Sequence, residues 1–138
     1  MNHQVEINWE GNMAFETTIN GHNLIMDADF NHFGNNTGHR PKPLLLAALA
    51  GCTGMDVVSL LKKMNVEFDD FKVSVDGELT VDHPMYYHKI HIIYIFKGGN
   101  LEMDKIKKVI HMSLTKYCGV YAMLSKASTI THEIKVIE

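Results

Sequence analysis

The chain has little of several things. Its 138 residues include one arginine, Arg40, against 12 lysines and 16 acids, a net charge of −3. That balance lacks the basic footprint of a nucleic-acid binder. Two cysteines, Cys52 and Cys118, are too few for a secreted disulfide scaffold, and a chain of this length builds a core without such staples. The longest run without a charge, Pro43 to Met55, is 13 residues, too short to span a bilayer. No basic segment leads into an apolar one at the N-terminus, so no secretion signal is expected. A cytoplasmic protein with no membrane or nucleic-acid partner and both thiols reduced at rest is the reading that follows. Metal-binding patterns are missing too. No H-E-x-x-H helix and no C-x-x-C pair occurs, and His88 and His91, three apart on a predicted strand, point to opposite faces. Neither a metal nor a cofactor is expected.

What is present is an ordinary globular mixture, 46% apolar and 21% charged, sized for one domain over 1–138. Val5, Ile7 and Trp9 alternate with polar residues, as do Met13, Phe15, Thr17 and Ile19. Period two predicts half-buried strands. Asn20-Gly21 is a strong hairpin signal, because both residues tolerate positive φ, and His22 to Ala28 returns as a third strand of an antiparallel meander. Asp29 to Lys42 is polar and aperiodic and predicts a long unstructured loop. Pro41 and Pro43 suit a helix start, and Leu44 to Met64 is apolar or small on all sides, which predicts a helix buried on most of its surface. Ala47, Gly51 and Gly54 form a small-residue stripe on it, suited to close approach by another helix.

Phe71 to Val81 predicts a strand broken or bent at Gly77, Ile90 to Phe96 another, Leu101 to Thr115 an amphipathic helix, Tyr117 to Lys126 a short one, and Thr129 to Ile137 a closing strand. Strands and helices in the order βββ-α-ββ-αα-β make an α+β fold.

Two residues draw attention as chemistry. Cys52 lies mid-helix among Gly51, Thr53 and Gly54, whose small side chains leave room around the sulfur. Asp56, one turn on, opposes ionisation, so a reactive thiolate needs a cation. Cys118 begins the short helix, where the dipole favours thiolate. Burial as a small hydrophobe is the competing reading for each.

The segments RPKPLLLAALAGCTGMDVVSLLKKM and KYCGVYAMLSKASTITHEI together resemble the OsmC/Ohr family of thiol-dependent peroxidases, and the order of strands and helices agrees along essentially the whole chain. The resemblance implies an intertwined homodimer with buried central helices. It implies reduction of organic hydroperoxides by Cys52 as the peroxidatic residue and Cys118 as the resolving one, with a lipoyl-type dithiol as reductant. The peroxidase branches carry an arginine in the meander, which this chain does not. They also carry a glutamate near the start of the cysteine helix, where Lys42 and Pro43 stand here, so the match is closer to the OsmC-like branch. Leu45, Leu49 and Met55 are the helix residues expected to line an apolar substrate pocket. The activating cation is expected to be Arg40 reaching the partner's Cys52, since Lys62 and Lys63 lie roughly 15 Å or more down the helix axis and the dipole fades within a turn. A non-catalytic dimer binding an apolar small molecule near Cys52, and a Cys–His hydrolase, are the alternatives.

Overall fold

The computed structural model describes residues 1–138, which divide into two compact units, Met1–Leu45 and Leu46–Glu138. In the first, β1 (Asn8–Trp9), β2 (Phe15–Ile19) and β3 (His22–Met26) form an antiparallel sheet in the order β1-β2-β3. The β2–β3 hairpin closes at Asn20 and Gly21, with φ of 51° and 81°, and pairs Ile19 with His22. Only two residues of the first alternating run pair with β2, Asn8 with Glu16 and Trp9 with Phe15.

The polar stretch expected to be unstructured is ordered by one carboxylate. Asp27, 4% exposed, accepts hydrogen bonds from the backbone N–H of Ala28 (2.7 Å), Asn35 (3.3 Å) and Thr37 (3.0 Å), and from the Thr37 hydroxyl (2.6 Å). A 3-10 turn at Phe30–His32 and a bridge between Met26 and His39 complete the loop. Gly34 and Gly38 lie so close to the backbone of Ala28 and Ile25 that neither position has space for a Cβ. The sequence pattern missed this because the organising bonds reach eight and ten residues along the chain. The same bonds, led by the Thr37 hydroxyl, lower the Asp27 pKa from 3.8 to about 2. The carboxylate therefore holds the loop above its unfolded pKa, and that contribution is lost as pH falls through about 2. An NMR titration is expected to move the Thr37 amide with a midpoint near 2. A midpoint near 3.8 would contradict it.

Helix α1 (Pro41–Lys63) starts at the predicted prolines and runs on into the second unit. There β4 (Asp70–Leu79), β5 (Tyr87–Lys97) and β6 (Thr129–Ile137) form a second sheet, β4-β5-β6. The strands β4 and β5 are antiparallel, whereas β5 and β6 are parallel. A parallel neighbour needs a crossover, and this one runs through α2 (Met103–Met112), a π-helical turn (Ser113–Tyr117) and α3 (Gly119–Leu124). Gly77 does not break β4; the irregularity falls between Glu78 and Leu79. A Cβ at Gly77 would meet the Tyr87 ring at 2.6 Å, so the missing side chain makes room for that ring.

Ile90, Ile92, Tyr94 and Phe96 alternate inward along the central strand β5 and join Ile106, Val109 and Ile110 of α2 in the core. Helix α1 adds Leu49, Thr53, Val57 and Leu61, one residue per turn. Within one chain this stripe is the buried part of the helix: Leu45 and Met55 are 48% and 74% exposed on the rest of its surface. Nothing lies within 4 Å of a Cβ built on Gly51, and Gly54 meets only Val73, at 3.5 Å, so no second helix of this chain lies against the small-residue stripe. The charge-free run also understated the helix, which has 23 residues and a mean hydropathy of 2.0 over its most apolar stretch. Length and composition alone would let it cross a bilayer, yet its Leu49, Val57 and Leu61 are fully enclosed in the core.

Candidate active site

Helical spacing puts Asp56 one turn after Cys52 on the same side of α1, with Thr53 rotated into the core. From the other end of the unit, the π-helical turn delivers Cys118, whose N–H bonds the Ser113 carbonyl at 2.7 Å. The outcome is a cluster that 66 residues of separation do not suggest: the Sγ atoms of Cys52 and Cys118 and a carboxylate oxygen of Asp56 lie within 4.8 Å of one another. Both cysteines are free thiols, Cys52 half-buried and Cys118 buried.

Behind the cluster runs a buried chain of hydroxyls. Thr53 Oγ1 shares hydrogen bonds with Tyr94 Oη (2.7 Å) and Ser113 Oγ (2.8 Å), and the Ser113 hydroxyl donates to Asp56 Oδ2 (2.9 Å). Thr53 and Ser113 are fully buried, so these bonds hold the carboxylate at a set position on a rigid support. Burial pushes the Tyr94 phenol up to about 12, and Thr53 only partly offsets it.

At Cys118 the expectation of a dipole-favoured thiolate is overturned. The residue caps α3, and the Tyr121 N–H reaches its sulfur at 3.4 Å. Burial outweighs that bond and, with Cys52 and Asp56 adding to it, pushes the thiol up to about 12. The neutral thiol is the resting form. Iodoacetamide at pH 8 is therefore expected to label Cys52, the more exposed sulfur, before Cys118, as read by peptide mass spectrometry. Preferential labelling of Cys118 would contradict it.

Other residues singled out in the sequence fall elsewhere. Leu49 is a core side chain with no exposed surface, whereas Met55 lines an open apolar groove of about 680 Å³ together with Gly51, Gly54, Val58, Lys62 and Phe71. Leu45 is exposed in the first unit. Arg40 is held by its own loop, donating to the Gly38 carbonyl at 3.0 Å and to Asn36 Oδ1 at 2.7 Å. The histidines pair outside the cluster, His88 with Glu78 and His91 with Thr131 and Glu133. The joining of Thr53, Tyr94 and Ser113 was not legible in the sequence, where Thr53 stood out only as a small neighbour of Cys52, since no local pattern announces a hydroxyl chain spanning 60 residues.

A sequence profile described as "OsmC-like protein" matches residues 34–133 of this chain. The chain belongs to the OsmC-like family. Protein YhfA of Escherichia coli K12 is 31% identical over 137 residues, covering 97% of this chain and 98% of its own length. The crystal structure of a hypothetical protein from Aquifex aeolicus VF5 superposes with a TM-score of 0.83 at 28% identity, covering 100% of this chain and 99% of that one. An organic hydroperoxide resistance protein OsmC from Legionella pneumophila shares the fold, with a TM-score of 0.72 at 12% identity and coverage of 99% and 98%. OsmC-like membership and the α+β fold agree with the resemblance read from the two sequence segments.

Proposed function

We propose that the protein is a thiol-dependent peroxidase of the cytoplasm that reduces organic hydroperoxides. The Cys52 thiolate attacks the terminal peroxide oxygen; the O–O bond breaks, the alcohol leaves with a proton, and Cys52 becomes a sulfenic acid. The Cys118 sulfur then displaces the sulfenic oxygen as water and forms the Cys52–Cys118 disulfide. An external dithiol of lipoyl type returns both thiols by exchange. The observation that carries this reading is the meeting of the two sulfurs, within 4.8 Å, from elements 66 residues apart. The family membership and the hydroperoxide resistance named for the Legionella relative support it. Met55 and its groove offer an apolar surface to a bulky peroxide, with Leu45 a further exposed apolar side chain on the same helix, while Leu49 supports the helix from the core. Consumption of cumene hydroperoxide with dihydrolipoamide tests it: turnover is expected in the wild type and only background with Cys52→Ser. Equal rates in both would end the proposal.

The cation that stabilises the Cys52 thiolate is, on this reading, Arg40 of a second copy in a homodimer. The bare Gly51 position and the exposed Met55 leave a helix face open for that copy. Arg40→Ala and Cys52→Ser are each expected to be inactive alone. Mixed and allowed to exchange subunits, they regain one intact site per mixed dimer, and peroxide consumption returns. Activity that stays at the level of the separate variants after verified exchange contradicts the trans arrangement.

A second reading, a non-catalytic dimer that binds an apolar small molecule near Cys52, is favoured by the same open groove of about 680 Å³. It predicts no peroxide consumption and retention of an apolar fluorophore in the groove.

A further inference from the structure

The carboxylate of Asp56 has no task in the peroxidase cycle, and it is badly placed for one. Beside two sulfurs it repels every negative charge the cycle creates there. No ion pair in the chain neutralises it, the pairs being those of His32, His88, His91, Lys105 and Lys135. Two sulfurs and a carboxylate converging on one point are a donor set for a cation, which on binding displaces the thiol protons.

We propose that the reduced protein binds one zinc ion through Cys52 Sγ, Cys118 Sγ and a carboxylate oxygen of Asp56, with water as the fourth ligand, and that oxidation of the two thiolates expels it. The second half rests on the proposed peroxidase reading; the first does not. Zinc at about 2.3 Å from sulfur and about 2.0–2.2 Å from oxygen spaces neighbouring tetrahedral donors roughly 3.5 Å apart. The three donors already lie within 4.8 Å of one another, so turning the side chains about their χ angles closes the remaining gap. Sulfur with one carboxylate is a donor set that suits zinc and not calcium or magnesium.

The groups behind the donors are those a metal site uses to aim its ligands. The Ser113 hydroxyl donates to Asp56 Oδ2 at 2.9 Å and is itself held through Thr53 to Tyr94, which leaves Oδ1 to turn toward a cation. The Tyr121 N–H points at the Cys118 sulfur at 3.4 Å. A recess of about 130 Å³ beside Asp56, lined by Ser59, Leu60, Lys63 and Tyr117, gives the carboxylate side of the cluster access to solvent. On oxidation the two zinc-bound thiolates lose two electrons to the O–O bond. One hydroperoxide and two protons then give the disulfide, one alcohol, one water and free zinc, because a disulfide sulfur no longer carries the charge that held the metal.

Cobalt titration of the reduced full chain under argon tests the site without any peroxide. One Co²⁺ per chain is expected, with an intense near-ultraviolet sulfur-to-cobalt band and tetrahedral visible bands, both abolished by one equivalent of Zn²⁺. Cys52→Ser and Cys118→Ser should each weaken the sulfur-to-cobalt band. Asp56→Asn should keep that band while lowering affinity at least about tenfold. The wild type oxidised to its disulfide, which needs no substitution, should bind none. Absence of uptake by the reduced wild type, or uptake that the oxidised wild type shares, overturns the proposal. Undiminished affinity in Asp56→Asn overturns the assignment of Asp56. One equivalent of cumene hydroperoxide added to the zinc form should then release the metal to a chromogenic chelator. Retention of zinc after proven disulfide formation overturns the expulsion step. Metal uptake in a protein that consumes no peroxide separates failure of the peroxidase reading from failure of this one.

Discussion

With Cys118 replaced by serine, the first equivalent of organic hydroperoxide is expected to be consumed at the wild-type rate, and excess peroxide is expected to inactivate the protein. On the proposed mechanism the rate of the first step belongs to Cys52, which the substitution does not touch. What disappears is the sulfur within 4.8 Å that would condense with the sulfenic acid. Left without it, the sulfenic acid persists long enough to be trapped by dimedone. Further peroxide carries it to sulfinic acid, from which ordinary thiols do not recover it. Mass spectrometry of the Cys52 peptide should show two added oxygens in the variant and none in the wild type, whose disulfide protects both sulfurs. Equal resistance of the two proteins would mean that Cys118 is not the resolving residue.

Phe96→Ala is expected to remove about 3–5 kcal/mol of folding stability, a large share of the roughly 5–15 kcal/mol a domain of this kind possesses. The ring has no exposed surface and sits 4.4 Å from the Phe71 ring and 5.8 Å from that of Phe68, so its loss leaves a cavity lined by rigid aromatics that cannot collapse into it. It stands two residues from Tyr94 on the same face of β5, so the cavity also loosens the support on which the Thr53 hydroxyl chain rests. Urea unfolding measures the change. Val81→Ala, at a side chain 90% exposed, should stay within about 0.5 kcal/mol. A Phe96→Ala cost below about 1 kcal/mol would contradict the packing described for β5.

The parts of this fold that were legible in the sequence are those set by local chemistry. Alternation along Ile90 to Phe96 marked β5 and its inward face, Asn20-Gly21 marked the hairpin, and Pro41 with Pro43 marked the start of α1. What was illegible depends on partners distant in the chain. The loop after β3 is held by the Asp27 carboxylate, not by its own composition. The direction of β6 relative to β5 leaves no trace in a period of two. In the site, Cys52 stood out by its small neighbours and Cys118 by its place at a helix start, but their meeting depends on the π-helical turn that brings Cys118 back to α1. The phase of α1 decided between apolar residues that looked alike: Leu49 shares the buried stripe with Thr53 and Val57, and Met55, six positions on, does not.

On the proposed mechanism Cys52 and Cys118 are one redox pair. Reduced protein, an equal mixture of isotopically light and heavy chains, is treated with one equivalent of cumene hydroperoxide, blocked at remaining thiols and digested without reductant. A single cross-linked peptide pair joining Cys52 to Cys118 is expected, with light joined only to light and heavy only to heavy. Recovery of Cys118 as a free, blocked thiol beside an oxidised Cys52, or of mixed-isotope cross-links, would contradict it.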